Sequence, residues 1–245
     1  MKPAPTNYRP KFLAFDIETG PADGIESLIP PFDPAEVKVG NMKDPALIAA
    51  KIAQAEASHR SNFVSKAALA PESGKVLAIG LAYIGDDGKA VDFDAITGDE
   101  RSILQTFWGI VSDSLTGKSD RTLFVGFNSR EFDLPFLVAR SWINCVRVPA
   151  GVFELRGRFP NWSSAFYDLR DLWILGRNSG LSNLDTVARA LTGNGKSGSG
   201  ADFAADLAAD PEKALAYLRN DLELTCKVAY RMGIAQAVDR SEPLE

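Results

Sequence analysis

The apolar segments predict an α/β fold: a mixed sheet with helices on its faces. Three observations carry this. An antiparallel strand pair comes early, strands alternate with helices afterwards, and carboxylates fall at the ends of strands or on a helix face.

Taken in order, Lys11–Phe15 is a buried strand that leads directly into Asp16. Residues 75–84 form a second strand, and Asp86-Asp87-Gly88 is a hairpin turn into a third at Ala90–Ala95. Gly98-Asp99-Glu100 starts a helix to about Ser114, with Ile103, Leu104, Phe107, Ile110 and Val111 along one face. Thr122–Phe127 is a fourth strand and is followed by a helix from about Glu131 to Ile143. Ala165–Leu169 is read as a fifth strand, with helices near Asp171–Leu175, Ser182–Leu191 and Pro211–Met232.

The connection between the first two strands, residues 21–73, is too long to be a plain loop. It is proline-rich at first, with Pro21, Pro30, Pro31 and Pro34. Then Asp44-Pro45 supplies an N-cap and a first-turn proline for an alanine-rich helix reaching about Leu69, with Arg60 as its weak point. We read it as a helical insertion in a single domain spanning residues 1–240, followed by a polar tail at 241–245. It is a candidate docking point for a protein partner or a wall of a substrate channel.

The chain has 245 residues, 45% apolar and 24% charged, an ordinary composition for a globular protein. Met1–Lys11 lacks the apolar run of a signal peptide, no stretch has transmembrane length, and Cys145 and Cys226 have no metal-ligand spacing. A cytoplasmic location is expected, with both thiols in packing roles. The net charge of −5 argues against a protein that coats long nucleic acid. It leaves room for a local basic rim, for which Arg140, Arg147, Arg156, Arg158, Arg170 and Arg177 are candidates, a solvated surface being the alternative.

The chemistry lies in three acidic stretches. Asp16 and Glu18 are two apart, so on a strand they share a face. Asn128 is followed after four residues by Asp133, at the start of a helix, where an N-cap is the simpler reading. Tyr217 and Asp221 are four apart and stack on one face of the last helix. Four convergent carboxylates repel one another, and a fold that gathers them needs a cation; hard oxygen ligands suit Mg²⁺ or Mn²⁺.

The order Asp-x-Glu, Asn-x4-Asp, Tyr-x3-Asp resembles the DEDD 3′–5′ exonucleases of the ribonuclease H-like superfamily, in the branch that carries tyrosine. The histidine branch is excluded, because the only histidine is His59, inside the insertion. Gly126-Phe127-Asn128-Ser129-Arg130-Glu131-Phe132-Asp133-Leu134-Pro135 looks most like the proofreading exonuclease of family-B DNA polymerases, here as a free-standing relative. The resemblance implies a five-stranded sheet flanked by helices, and two divalent cations, Mg²⁺ or Mn²⁺, held by Asp16, Glu18, Asp133 and Asp221. It also implies that Tyr217 orients the attacking water, and that Thr19, Phe127 and Asn128 lie beside the terminal nucleotide. Nucleoside 5′-monophosphates would leave one at a time, with single-stranded DNA 3′ ends preferred. RNA 3′-end trimming by the same fold, and an inactive nucleic-acid-binding or polymerase-accessory module, are the alternatives.

Gly195-Lys196-Ser197 resembles the tail of a phosphate-binding loop but lacks the earlier glycine, Ala190 standing in its place, and follows a helix instead of a strand. Thr192–Gly200 is read as a flexible loop from which Lys196 can reach a phosphate.

Overall fold

A computed structural model describes residues 11–117, 122–156, 159–177 and 182–235; the side chains of 154–161 lie outside that description. The N-terminal ten residues, the tail at 241–245, Arg158 and the Arg156 side chain are therefore not among the described parts. The chain forms two compact units, Met1–Glu18 with Val76–Glu245, and Thr19–Lys75.

The larger unit is built on a five-stranded sheet. Its strands are β1 (Lys11–Pro21), β2 (Gly74–Ile84), β3 (Ala90–Thr97), β4 (Thr122–Gly126) and β7 (Phe166–Asp168), in the order β3-β2-β1-β4-β7. β2 and β3 are antiparallel, while β1, β4 and β7 run parallel. This is the mixed sheet expected from the sequence, with helices on its faces. A separate antiparallel hairpin, β5 (Phe153–Arg156) with β6 (Phe159–Trp162), was not anticipated.

Alternation along β1 decides which side chains meet which helices. Leu13, Phe15 and Ile17 point to one face and join Phe107 of α2 (Glu100–Leu115), Leu134 and Leu137 of α3 (Asp133–Ile143), and Phe124 and Phe166 from the sheet. Phe15 contacts Phe107, Phe124 and Phe166, with ring centroids 5.9–6.5 Å apart. Ala14, on the opposite face, packs with Ala82 against Leu222 and Cys226 of α7 (Pro211–Arg231). Asp16 and Glu18 follow Ala14 in the same alternation, so they emerge on the side covered by α7. Val125 extends this second core to Val187 of α5 (Leu184–Thr192) and to Leu224 and Val228 of α7.

α7 lies close on the sheet because β2 offers Gly80 beneath it. A Cβ at that position would come within 2.8 Å of Leu218 Cγ and Leu222 Cδ1. Two short helices complete the unit, α4 (Leu169–Ile174) and α6 (Phe203–Ala209), and α6 was also missed in the sequence. β1 is longer than expected, so Asp16 and Glu18 lie within the strand instead of beyond its end. Cys226 is buried, which pushes its thiol up to about 12, but Cys145 is exposed, against the expected packing role.

The smaller unit is organised by α1 (Pro45–Ala67), an unbroken helix with no interruption at Arg60. Asp44 caps it by accepting from the Ala46 N–H at 2.8 Å, with Pro45 in the first turn. The proline-rich segment is tied back through His59, whose Nε2 lies 2.8 Å from the Pro30 carbonyl and whose ring meets Phe32 edge-on.

Candidate active site

Parallel β1 and β4 are in register from Lys11↔Thr122 to Ala14↔Val125, so β1 continues beyond the end of β4. Asp16 and Glu18 lie on that continuation, at the carboxyl end of the sheet where open α/β folds bind ligands. One turn of α7 brings Asp221 to them. Each of Asp16, Glu18 and Asp221 presents a carboxylate oxygen, and the three oxygens lie within 4.8 Å of one another. Glu18 and Asp221 are buried, and Asp16 keeps a partly open edge.

Such crowding is costly without positive charge. Burial, then the nearby Asp221 carboxylate, raises Asp16 to about 7, although Lys196 pulls the other way. Glu18 rises to about 9, first through burial and then through Asp16 and Asp221. Asp133 is the first residue of α3, not its cap, and is 3% exposed. Its Oδ1 accepts the Ile17 N–H at 3.2 Å, between the two β1 carboxylates, and burial and Asp16 hold its own pKa well above the usual range. It stands beside the trio without belonging to the tight group of three.

One positive group already answers the cluster. Lys196 Nζ reaches Asp221 Oδ2 at 2.5 Å and lies 3.4 Å from the Tyr217 hydroxyl. Burial works against the Lys196 charge, but Asp221 outweighs it and its pKa is raised. The loop holding Lys196 is pinned, not free: its N–H donates to Asp185 Oδ1 at 2.7 Å. Glycines let this loop run close over the site. A Cβ at Gly198 would lie 3.2 Å from the Tyr217 ring, and one at Gly200 would lie 3.4 Å from Glu18 Oε2.

Tyr217 lies one turn before Asp221 on α7, as the four-residue spacing requires. Burial, and then Asp221, raise its pKa, so the phenol keeps its proton at neutral pH. Asn128 and Phe127 leave the end of β4. Phe127 packs against the second core, and Asn128 has a left-handed backbone, φ 63°, tolerated by Asn. Thr19 continues β1, and its hydroxyl donates to the Ala68 carbonyl at 2.7 Å, so its one proton is already engaged.

Arg140 departs from the expected basic rim. It is buried and paired with Glu100, its Nε and Nη2 donating to the carboxylate at 2.8 and 2.6 Å. Arg147 lines a cleft with Trp108 and Pro149. Arg177 is exposed and donates to the Ile174 and Trp173 carbonyls.

Asp168 was not singled out from the sequence. It is 2% exposed, and its carboxylate accepts the N–H groups of Asn128 (2.9 Å), Arg130 (2.8 Å) and Arg170 (2.9 Å). It joins the turn after β4 to the start of α4. Its only sequence signal was a carboxylate near the end of the fifth strand.

The trio fits a hard divalent cation on this structure's own terms. Its donors are all carboxylate oxygens, an ammonium is already drawn to them, and the buried Asp221 Oδ1 has no hydrogen-bond partner among the described residues. A family model described as "Predicted 3'-5' exonuclease related to the exonuclease domain of PolB" matches residues 69–222. The chain belongs to this family. The matched span includes Asn128, Asp133, Tyr217 and Asp221; Asp16 and Glu18 precede it and join them through the fold. The exonuclease family implies use of divalent metal, and an acidic cluster that could hold an ion is present here.

Among solved structures, the family B DNA polymerase of the hyperthermophilic archaeon Pyrobaculum calidifontis superposes with a TM-score of 0.55 at 18% identity. The match covers 91% of this chain and 24% of that one, so the chain spans about a quarter of the polymerase's length. No curated protein matches the sequence. Among the described residues no helix is long and apolar enough to cross a membrane.

Proposed function

We propose that this 3′–5′ exonuclease removes nucleoside 5′-monophosphates from single-stranded DNA 3′ ends, using two divalent cations, Mg²⁺ or Mn²⁺. The convergence of Asp16, Glu18 and Asp221 beside the Tyr217 hydroxyl carries this reading. DNA is chosen because the family model is related to a DNA polymerase's exonuclease and the fold is shared with one. A single strand is chosen because the terminal nucleotide must be unpaired to reach buried groups. Two unpaired cysteines suit a cytoplasmic setting.

Asp16, Glu18 and Asp221 would hold one cation, and Asp16 with Asp133 would serve the other. Bound there, the cations supply positive charge for the scissile phosphate and lower the pKa of the attacking water. Tyr217 orients that water. With its hydroxyl one turn before Asp221, it acts as a hydrogen-bond partner of the water. Lys196 pairs with Asp221, and its flexible stem lets the ammonium reach a phosphate oxygen from the same loop. Phe127 and Asn128 support the terminal nucleotide from the end of β4.

The test uses matched single-stranded DNA and RNA, labelled at the 5′ end, with Mn²⁺, Mg²⁺ or EDTA, and Asp16→Asn as the contamination control. A metal-dependent ladder shrinking from the 3′ end, faster on DNA, is expected. A faster RNA ladder would reassign the substrate, and no ladder with either metal would leave only a binding module.

A further inference from the structure

The turn after β4 is held by more than its own backbone. Asp168 accepts the N–H groups of Asn128 and Arg130 on one side and of Arg170 on the other, at 2.8–2.9 Å. The Asn128 backbone is thereby fixed in its left-handed conformation. The Asn128 side chain is fixed separately. Arg170 Nη1 approaches Asn128 Oδ1 at 3.2 Å, while Arg170 Nε donates to Ser182 Oγ at 3.2 Å, so the guanidinium is anchored at two points. A guanidinium carries donors only. The amide must therefore turn its oxygen to Arg170, and its nitrogen, with two N–H groups, has no acceptor among the described residues.

We propose that Arg170, aligned by Asp168, is a positioning residue that sets the Asn128 amide as a hydrogen-bond donor to the 3′-terminal nucleotide. The group recognised would be an acceptor on sugar or base, not a hydroxyl acting as donor. Acceptors such as adenine N3 and thymine O2 recur from base to base, so this contact holds the terminal nucleotide without reading its identity. Unlike Asp221, Arg170 has no part in holding the cation. The inference rests on the substrate reading of Asn128 given above.

The experiment is a double-mutant cycle in steady-state degradation of 5′-labelled single-stranded DNA with Mn²⁺, using Asn128→Ala, Arg170→Met and the double variant. Losing one oriented hydrogen bond raises KM roughly tenfold, with kcat little changed, in Asn128→Ala and in Arg170→Met. The double variant is expected to match Asn128→Ala. Arg170→Lys, which retains a donor, should recover part of the loss. Asn128→Asp, which still presents an oxygen to Arg170 but has no amide donor, should behave no better than Asn128→Ala.

An Arg170→Met effect that persists in the Asn128→Ala background would overturn the proposal, because Arg170 would then act by itself. So would a fall in kcat at constant KM, wild-type KM in Asn128→Asp, or loss of Mn²⁺ binding in Arg170→Met measured by the paramagnetic resonance of free Mn²⁺. If Arg170→Met fails to fold, Arg170→Lys and Asn128→Asp carry the same comparison. An inactive wild-type protein would defeat the exonuclease reading instead. The cycle is then read from the fluorescence anisotropy of a labelled oligothymidine in EDTA, where the same non-additivity is expected and additive losses overturn the proposal.

Discussion

In the proposed mechanism Asp16, Glu18 and Asp221 act only as charges, so a change that preserves shape and removes charge isolates that property. Asp16→Asn and Asp221→Asn should each abolish nearly all 3′–5′ degradation. Tyr217→Phe should cost on the order of 10²-fold, because an orienting group is lost while the carboxylates stay. Single-turnover rates on labelled DNA check the ranking; equal loss in all three variants would mean that Tyr217 does more than orient. Arg140 needs a stability measurement instead. Its pairing with Glu100 is buried, and Glu100 also accepts from Val76 N and Asn144 Nδ2. Removing the arginine strands a buried carboxylate, so Arg140→Ala should lower unfolding stability by about 3 kcal/mol. Urea denaturation reads this, and no loss of midpoint would return Arg140 to the surface role first expected of it. Its spacing from other arginines suggested a rim because the partner, forty residues away in sequence, could not be seen locally.

At the scale of the element, local periods were the legible part. Asp-x-Glu on a strand and Tyr-x3-Asp on a helix each fix a shared face from sequence alone, and both faces are found in the structure. The Lys196 position was not fixed this way. It depends on the path of a glycine-rich loop across α7, and glycine spacing gives no direction. The β5–β6 hairpin was hidden because each strand is four residues long and β6 contains Pro160, which weakens a strand reading. α6, at seven residues, is too short for its periodicity to stand out. The contact of β2 with α7 offers a test of how far packing controls chemistry. Gly80→Val places a side chain where Leu218 and Leu222 already sit. It should lower both the melting temperature and Mn²⁺ affinity, because α7 must lift and carries Asp221 with it. Unaltered Mn²⁺ affinity in a destabilised Gly80→Val would show that the site tolerates movement of α7.

For the whole molecule, the acidic cluster links stability to pH and cation. The folded protein binds protons on Asp16 and Glu18 that the unfolded chain, with ordinary values of 3.8 and 4.5, releases. Stability from this source is therefore full below about pH 4 and is lost as pH rises through about 7 for Asp16 and about 9 for Glu18. A bound cation replaces the protons, so its effect grows in the same interval. In scanning fluorimetry, Mn²⁺ should raise the melting temperature more at pH 9 than at pH 6, relative to EDTA. Equal shifts at the two pH values would separate the cation from these carboxylates.

The two sides of the trio come from opposite regions of the chain, Asp16 on the first strand and Asp221 on the last long helix. During synthesis the β1 carboxylates leave the ribosome long before α7 exists. A nascent chain, or a fragment ending ahead of Asp221, carries two of the three clustered acids and no completed centre. If the trio is the cutting centre, a fragment that stops ahead of Asp221 should leave labelled DNA intact, and activity should begin only when nearly the entire described fold is present.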